Sequence, residues 1–431
     1  MPANPSPLQS LRNELASTST TLPTIAVRFA ANANSNASHN TYLGSYSTEA
    51  LHRAEQLPRI FPDQPTRPAL YGIPISIKDC FDVAGTITTC GSSFYAQHNP
   101  PAPKNSWVAQ RLLDYGAILT GKTHLHQLAY GVTGENPDFG DCLQPRDATL
   151  LTGGSSSGAA ASVQEGSALA AVGTDTGGSI RIPSALCGLA GYRTSHGIAH
   201  SEERWAGGYH LAQSFDTIGL VFRDLRDAPA LATAIFDITP APSQTKIRIG
   251  CIADDFLHDS EPNVLAAFDA WKQHLTQHGA ELALADTHFW TEAPAIYSPI
   301  VASEAAAIHR GHFQHFDPVI AERLAYGASI PATEIQNLRA RLQKFRFQMS
   351  ALFESCDFLI APCAPVSKLR AGHDHTDSRK AILRYTTPAS LSGLPAITLP
   401  GEHLGAPQGT GVQLLAAPMQ DAPLLAFAAN L

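Results

Sequence analysis

The sequence predicts a layered α/β fold with a largely parallel or mixed β-sheet. From about residue 47, stretches with helical periodicity alternate with short apolar stretches of strand character, which is typical of layered α/β folds. Apolar residues make up 44% of the 431 residues and charged residues only 15%, so a large buried core is expected. The sequence shows no fixed-period repeat and no low-complexity tract. We therefore expect one compact domain over residues 1–431.

The first half of the chain supplies two predicted helices and two predicted strands. The segment STEALHRAEQL predicts a helix capped by Ser47 or Thr48, and GIPISIKD alternates like a strand. Ser106 can cap the next helix. Gly116 then separates that helix from the strand-like segment AILT. The apolar positions of the second helix are spaced by four and three residues: Val108, Leu112 and Tyr115.

The second half of the chain continues the alternation. The Pro- and Ser-rich stretch 237–245 predicts a surface loop, which the strand KIRIGCIA and an amphipathic helix closed by Gly279 follow at once. A long helix is predicted over about 332–355, and DFLIAP, PAITLP and TGVQLLAA predict late strands of the sheet. The buried faces of the two helices are Val264, Phe268, Trp271 and Leu275, then Ile335, Leu338, Leu342, Phe345, Met349 and Leu352.

Composition narrows the class of partner. The net charge of −8 comes without any basic cluster, which argues against nucleic acid or an anionic membrane as the main partner. No stretch of about 18 apolar residues and no secretory pattern is visible, so a cytoplasmic protein with a small neutral or polar substrate is expected. The seven cysteines are scattered without a CxxC pair, which favours neither a disulfide framework nor a zinc site.

One short motif suggests nucleotide chemistry. The segment GAILTGKT, residues 116–123, has the spacing of a phosphate-binding loop. Such a loop must follow a strand and wrap its backbone N–H groups around phosphates before a helix. Here a predicted helix precedes Gly116, and the residues between the two glycines favour a strand. The context therefore argues against nucleotide binding.

A second motif suggests a nucleophile elbow. The segment GSSSG, residues 154–158, matches the pattern GxSxG and would make Ser156 the nucleophile. An elbow serine also needs a later Asp and then a His, and none of the 18 histidines lies in a recognisable setting for that role. A flexible Gly/Ser loop is the simpler interpretation of these residues taken alone.

Two glycine-serine segments together are more informative than either alone: residues 153–158, GGSSSG, and residues 173–183, GTDTGGSIRIP. The second segment offers successive backbone N–H groups without bulky side chains, which a developing oxyanion needs if Ser179 attacks a carbonyl. A serine hydroxyl needs a nearby base, and the strand GIPISIKD offers Lys78 or Asp79. A lysine can act as that base only if burial lowers its pKa.

These two segments, the upstream lysine in GIPISIKD and the later SGLPAITLP closely resemble the amidase signature family, with the signature core over about residues 72–200. The resemblance implies the amidase signature fold, an α/β fold in which a mixed, twisted β-sheet core is covered by helices on both faces. It assigns the nucleophile to Ser179, the bridging serine to Ser155 and the base to Lys78. It also makes GAILTGKT an ordinary strand beside the active site.

The same resemblance implies supporting roles around these residues. Ser156 would hydrogen-bond Lys78, and the peptide bond before Ser155 would be cis. Asp175 would brace the loop of the nucleophile, while Arg181 would pack structurally, the favoured role, or contact an anionic substrate. The implied oxyanion hole consists of the backbone N–H groups of Thr176, Gly177, Gly178 and Ser179. The positions implied to line the substrate pocket are Ala129, Tyr130 and Gly131.

The chain also departs from the usual pattern of that family. The lysine-proline pair that commonly follows the second segment is replaced by Arg193, Thr194 and Ser195, and His196 stands where an aromatic residue is common. We expect these changes to affect specificity and packing more than catalysis.

The resemblance implies an amidohydrolase that needs no cofactor and cleaves the C–N bond of a small amide, carbamate or urea-like substrate through a seryl acyl-enzyme. The subgroups most alike are biuret-type amidohydrolases and the glutaminase subunit of tRNA-dependent amidotransferases. The alternative functions are an ester or carbamate hydrolase, a non-catalytic amidase-like binding subunit and an NTP-dependent enzyme. For the oligomeric state, a homodimer is the prediction. The histidines at 309–315 and 373–375 do not have the spacing or setting of a metal site.

Overall fold

A mixed sheet of eleven strands runs through the computed structural model, which describes residues 4–17, 19–239, 241–242 and 246–431. Two further strands form a separate antiparallel pair. The strands over the described residues are β1 (Tyr42–Ser45), β2 (Pro74–Lys78), β3 (Ile118–Thr123), β4 (Leu143–Gln144), β5 (Asp147–Leu151), β6 (Ala170–Asp175), β7 (Ala190–Arg193), β8 (Thr217–Phe222), β9 (Ile247–Cys251), β10 (Ala280–Leu284), β11 (Phe358–Pro362), β12 (Ala396–Leu399) and β13 (Val412–Ala416).

The order of strands in the large sheet is β1-β3-β2-β6-β8-β7-β12-β13-β11-β9-β10. Strand β2 lies between β3 and β6 and is parallel to both. Every pair from β6 through β8, β7, β12 and β13 to β11 is antiparallel, whereas β11, β9 and β10 run parallel. The sheet is therefore mixed, as the resemblance implies.

Helices connect these strands along the whole described chain. Their lengths range from single turns to the long helix predicted over 332–355. The helices are α1 (Pro7–Ala16), α2 (Leu22–Ser35), α3 (Ser47–Ile60), α4 (Ser93–His98), α5 (Trp107–Asp114), α6 (Ser157–Glu165), α7 (Arg181–Leu186), α8 (His196–Ala199), α9 (Ala228–Phe236), α10 (Pro262–Gln277), α11 (Ala293–Ile308), α12 (Pro318–Ser329), α13 (Ala332–Ser355), α14 (Thr376–Leu391) and α15 (Asp421–Ala428).

Both faces of the sheet are covered, which β6 shows most clearly. Successive side chains of a strand point to opposite faces. Ala171 packs with Ala159 and Val163 of α6 on one face, whereas its neighbour Val172 joins the main hydrophobic core on the other. All residues of β6 are buried, as expected for a strand between two helical layers. The prediction of helices on both faces is confirmed.

The predicted caps are partly right. Ser106 precedes α5 and accepts a hydrogen bond from Ala109 N at 3.4 Å, as expected of an N-cap serine. The predicted cap of α3 is wrong. Tyr46 holds the N-cap position without a side-chain cap bond, because Ser47 already belongs to the helix and its hydroxyl lies 3.2 Å from that of Ser45.

One predicted loop lies only partly within the described chain. In the stretch 237–245, residues 240 and 243–245 are outside the described residues, and residues 238, 239, 241 and 242 have no regular secondary structure. The predicted strand KIRIGCIA follows as β9, and the amphipathic helix as α10. Over the described ranges, no helix combines the length and apolar character needed to cross a membrane.

Candidate active site

Lys78 ends β2 with its side chain buried beneath three hydroxyl groups. The residue is 0% exposed, and Nζ donates hydrogen bonds to Ser155 Oγ and Thr174 Oγ1, both at 2.8 Å, and to Ser156 Oγ at 3.1 Å. Burial lowers the pKa of Lys78 to about 8, although neighbouring acidic groups oppose the shift. A lysine with this pKa is partly neutral near neutral pH, which the role of base requires.

The alternation of β2 explains why Lys78 points at this cluster. Ser76, two residues earlier, shares its face and meets Ser162 Oγ of α6 at 2.8 Å. The first glycine-serine segment leads directly into α6, so Lys78 lies at the N-terminal end of that helix. The peptide bond between Gly154 and Ser155 in this turn is cis.

Ser156 anchors this turn to β6. Its hydroxyl donates to Thr174 O at 3.1 Å and accepts from Thr174 N at 3.3 Å, in addition to the bond from Lys78. Among the described residues, no histidine forms a hydrogen bond with Ser156. The nucleophile-elbow interpretation, which needs Ser156 exposed and paired with a histidine, therefore finds no support in this geometry.

Ser179 lies in the turn after β6, beside the cis turn. It is 4% exposed, and Ser156 N donates to Ser179 O at 3.2 Å, so the two glycine-serine segments are adjacent. Ser179 Oγ has no hydrogen-bond partner among the described residues. The hydrogen bond from Lys78 to Ser155 is thus present, whereas Ser155 and Ser179 are not hydrogen-bonded to each other through their side chains. Catalytic hydrogen bonds are often long in unliganded enzymes and tighten when substrate binds.

The four expected oxyanion donors are not equivalent. Gly178 N already donates to Asp175 Oδ1 at 2.8 Å. The N–H groups of Thr176, Gly177 and Ser179 have no acceptor within the described part of the chain. Three of the four expected donors are therefore available to a developing oxyanion.

Asp175 braces this turn through two buried arginines. Arg181 pairs with both of its oxygens at 3.0 Å, and Arg193 Nη1 lies 2.8 Å from Oδ1. All three side chains are 0% exposed. Burial disfavours the carboxylate, but the two guanidiniums and the backbone N–H groups outweigh it and hold the pKa of Asp175 well below its usual range.

Arg181 is fully occupied by protein groups. Besides Asp175, its guanidinium donates to Thr386 O at 2.9 Å, Gln413 Oε1 at 2.7 Å and Ser390 Oγ at 3.0 Å. It is fully buried, so the packing role is the one that the geometry favours over contact with substrate.

The second candidate base, Asp79, is committed elsewhere. Its carboxylate lies 2.5 Å from Lys122 Nζ and accepts from Thr89 N at 3.0 Å. Lys122 also donates to Ile87 O at 3.0 Å and Thr88 Oγ1 at 2.7 Å. Lys122 is the lysine of the phosphate-loop motif, and the motif itself forms strand β3. The argument against nucleotide binding from sequence context agrees with this structure.

The three expected pocket positions have different surroundings, and their role in substrate binding stays a prediction. Ala129 lines a cavity of about 180 Å³ together with Cys80, next along the chain to Asp79. Tyr130 is buried, and its carbonyl accepts from Arg323 Nη1 at 2.9 Å. A Cβ atom at Gly131 would lie 2.2 Å from the ring of His126, so this position must stay small. A second cavity, of about 330 Å³, opens beside His126 and Arg323.

Several residues at the site carry no local sequence signal. Tyr297 of α11 reaches the turn after β6 that carries Ser179, because a Cβ on Gly177 would lie 2.3 Å from the Tyr297 hydroxyl. Asp216 accepts from Thr176 Oγ1 at 2.6 Å and lies 2.9 Å from His210 Nδ1. These side chains come from segments far along the chain, so only the fold brings them to the turn.

The histidines at 309–315 pack among aromatic rings. His309 Nδ1 lies 2.8 Å from Tyr95 Oη, and His315 stacks on Phe94 at a centroid distance of 4.4 Å. Within the described ranges, no group of three or more His, Cys, Asp or Glu side chains is placed to hold a metal ion. All seven cysteines are free.

Comparison with known proteins finds clear relatives of this chain. The family model for amidases matches residues 26–425. The chain is 31% identical to the AtzE component of the 1-carboxybiuret hydrolase of Pseudomonas sp. (strain ADP), with 82% of each chain covered. It is also 31% identical to a subunit of the glutamyl-tRNA(Gln) amidotransferase of Prochlorococcus marinus (strain MIT 9313), over 84% of this chain and 83% of the relative. A crystal structure of an amidase superposes with a TM-score of 0.88 at 28% identity, over 98% of both chains.

Proposed function

Because the chain belongs to the amidase family, and is therefore a hydrolase of C–N bonds, we propose that it cleaves a small amide, carbamate or urea-like substrate through an acyl-enzyme on Ser179. The observation that carries the proposal is the buried hydrogen bond of 2.8 Å between Lys78 Nζ and Ser155 Oγ. The next residue, Ser156, donates its N–H to Ser179 O, so this bond lies beside the proposed nucleophile. Burial of Lys78 supports its role as the base, since it favours the neutral amine.

In the proposed first step, neutral Lys78 takes a proton from Ser155, which takes one from Ser179. Ser179 Oγ then attacks the substrate carbonyl, and the N–H groups of Thr176 and Gly177, with that of Ser179 itself, stabilise the oxyanion. Protonated Lys78 returns the proton through Ser155 to the departing nitrogen as the C–N bond breaks. Water, activated by the same relay, releases the acid and restores the free serine.

The buried ion cluster around Asp175 supports formation of the oxyanion because it fixes the turn that carries Ser179. Asp175 holds Gly178 N and Ile180 N, while Arg181 and Arg193 hold Asp175. The donors of the turn therefore point in a fixed direction before the substrate arrives. Such preorganisation is the main source of oxyanion stabilisation in enzymes.

The test is a panel of amides, carbamates, ureas and esters, with release of ammonia, amine or alcohol measured for the wild type and Ser179→Ala. We expect turnover of at least one C–N substrate, and its loss in Ser179→Ala and in Lys78→Met. Thr291→Ala removes an exposed hydroxyl that donates to His288 O at 2.9 Å, so it serves as the matched control and should keep wild-type turnover. Full turnover by Ser179→Ala would contradict the proposal.

The rival within the family is a glutaminase that passes ammonia to a partner, which the similarity to a component of a tRNA-dependent amidotransferase favours. That rival predicts glutamine hydrolysis that rises when charged tRNA and a partner protein are added. An ester or carbamate hydrolase on the same site would instead turn over those members of the panel faster than amides.

We also propose that the chain acts as one amidase domain, since a single sheet joins strands from Tyr42 to Ala416. A homodimer and a cytoplasmic location stay predictions. Light scattering of the purified protein tests the first, and fractionation of the source cells tests the second.

A further inference from the structure

The smaller cavity, of about 180 Å³, has a mainly apolar lining. Within the described chain, no Lys, Arg, Asp or Glu side chain lines it, so an uncharged group fits it best. An apolar cavity of about 150 Å³ is known to hold benzene, so this cavity has room for one six-membered ring. The apolar side chains of its lining are Cys80, Cys90, Leu125, Leu128, Ala129 and Ile308.

Two walls of this cavity belong to the segments that carry Lys78 and Ser155. Cys80 lies two positions after Lys78, just beyond the end of β2. Ala129 N donates to His126 O at 2.8 Å, and His126 N in turn donates to Ser155 O at 3.2 Å. The cavity therefore lies beside the segments from which the proposed proton relay is built.

A histidine on a third wall is held in one orientation by buried groups. His210 Nδ1 lies 2.9 Å from Asp216 Oδ2, and the ring stacks on Trp205 at a centroid distance of 4.0 Å. Asp216 is 1% exposed and also accepts from Thr176 Oγ1 at 2.6 Å. The N–H of Thr176 is one of the three donors available to the oxyanion. The carboxylate of Asp216 thus joins His210 to the turn that carries Ser179.

The other ring nitrogen of His210 is available to a ligand. A carboxylate only accepts hydrogen bonds, so Nδ1 carries the hydrogen in the pair with Asp216, and the lone pair of the neutral ring lies on Nε2. Nε2 has no hydrogen-bond partner in the described part of the chain, and His210 lines the cavity. By contrast, Tyr95 and His309 in the same lining already bond each other, with 2.8 Å between Tyr95 Oη and His309 Nδ1. The cavity thus offers a fixed acceptor to an N–H or O–H donor.

We infer that the substrate carries an aromatic ring with a hydroxyl or amino group, which binds in this cavity and donates a hydrogen bond to His210 Nε2 while Ser179 attacks the carbonyl. The inference rests on the proposed function and narrows its substrate class to aryl amides with such a polar substituent. The rings of Tyr95 and Tyr209 in the lining suit a flat aromatic group. The hydrogen bond selects rings that carry the donor, since a bare ring leaves Nε2 without a partner.

Two substrate series test this inference, one for each side of the scissile bond. In the first, the ring belongs to the acyl group, as in the primary amides of hydroxybenzoic and hydroxyphenylacetic acids. In the second, the ring belongs to the departing amine, as in acetanilides with a hydroxyl group on the ring. Each compound is compared with a partner in which a methyl group replaces the hydroxyl. In the better series, we expect the wild type to prefer the hydroxyl compound by about 10- to 100-fold in kcat/KM.

Substitutions of His210 test whether this residue carries the preference. His210→Phe removes the acceptor and keeps a ring that can stack on Trp205, so the ratio of kcat/KM between the two partners should fall to about one. His210→Gln offers an amide oxygen as acceptor and should restore part of the ratio. A merely structural role of His210 would lower the turnover of both partners alike and leave the ratio unchanged.

His288→Phe is the matched control. His288 also pairs with an aspartate, since its Nδ1 lies 2.5 Å from Asp286 Oδ1, but its side chain is 74% exposed and does not line the cavity. The preference for the hydroxyl compound should therefore stay at the wild-type value in this variant.

Inhibition of the wild type provides a second measurement if His210→Phe does not fold, as judged by circular dichroism. Phenol and toluene have similar size, but only phenol can donate a hydrogen bond to Nε2. Phenol should inhibit competitively, with an inhibition constant lower than that of toluene by about tenfold or more.

Several results would overturn the inference and leave the amidase proposal standing. They are equal kcat/KM for hydroxyl and methyl partners in both series, an unchanged ratio in folded His210→Phe, and equal inhibition constants or noncompetitive inhibition by phenol. Turnover of other amides of the broader panel without turnover in either series would have the same consequence. Failure to hydrolyse any member of the two series or of the broader panel would contradict the proposed function itself.

Discussion

The buried amine of Lys78 predicts a specific pH profile. Only the neutral form can accept a proton from Ser155, so kcat/KM should follow the neutral fraction of Lys78. With a pKa of about 8, that fraction is about one hundredth at pH 6, about one tenth at pH 7 and about nine tenths at pH 9. Activity should therefore rise nearly tenfold from pH 6 to pH 7 and level off above pH 9.

The assay is kcat/KM for the best amide of the panel from pH 6 to pH 10, because this quantity reports ionisations of the free enzyme and free substrate. The substrate must have no group that titrates in that range. Lys78→Met should lower kcat/KM by about 10²- to 10⁴-fold and abolish the rise, since the general base is gone. Lys380→Met, which changes an exposed lysine, should keep the wild-type profile.

Two results would refute this reasoning. A rise that continues at tenfold per unit through pH 10 would mean that the lysine keeps its ordinary pKa of about 10.5 and that burial does not act on it. A flat profile between pH 6 and pH 8 would mean that no group with a pKa near 8 limits the reaction.

The remaining predictions concern the turn that carries Ser179. Asp175→Asn leaves two buried guanidiniums without a counter-charge and should lower the free energy of unfolding by about 3–5 kcal/mol in urea titrations, whereas the exposed Asp377→Asn should change it little. Gly178 has φ of +127° and a Cβ there would lie 2.8 Å from Thr386 Oγ1, so Gly178→Ala should lower kcat/KM by at least tenfold. The matched control is Gly85→Ala, because Gly85 also has a positive φ, +80°, but a Cβ there would meet no atom within 4 Å. This control should keep kcat/KM, and equal losses of kcat/KM in both variants would contradict the packing argument.

The fold was largely accessible from the sequence because its signals are local. The alternation of β2 and the apolar face of α13 are visible in short windows, and both elements form where they are expected. The cap of α3 was not accessible, since Ser45, Ser47 and Thr48 are all suitable cap residues and only the geometry of the turn from β1 selects Tyr46. N-cap propensities therefore identify suitable residue types but do not fix the residue at which the helix begins.

The site was accessible only where its residues belong to the two glycine-serine segments or to the strand of Lys78. Tyr297 approaches from α11, more than a hundred positions further along the chain. A tyrosine is ordinary at a buried helix position, so nothing in its local sequence distinguishes Tyr297. Arg193 stands at a departure from the family pattern, and its pairing with Asp175 supports the expectation that the change concerns packing.

The central claim is that Lys78, acting through Ser155, makes Ser179 the reactive hydroxyl. Reaction with an uncharged fluorophosphonate, followed by peptide mapping by mass spectrometry, tests it without knowledge of the substrate. We expect one label, on Ser179, in the wild-type protein and at least hundredfold slower labelling in Lys78→Met. A label on Ser156, or labelling of Lys78→Met at the wild-type rate, would contradict the claim.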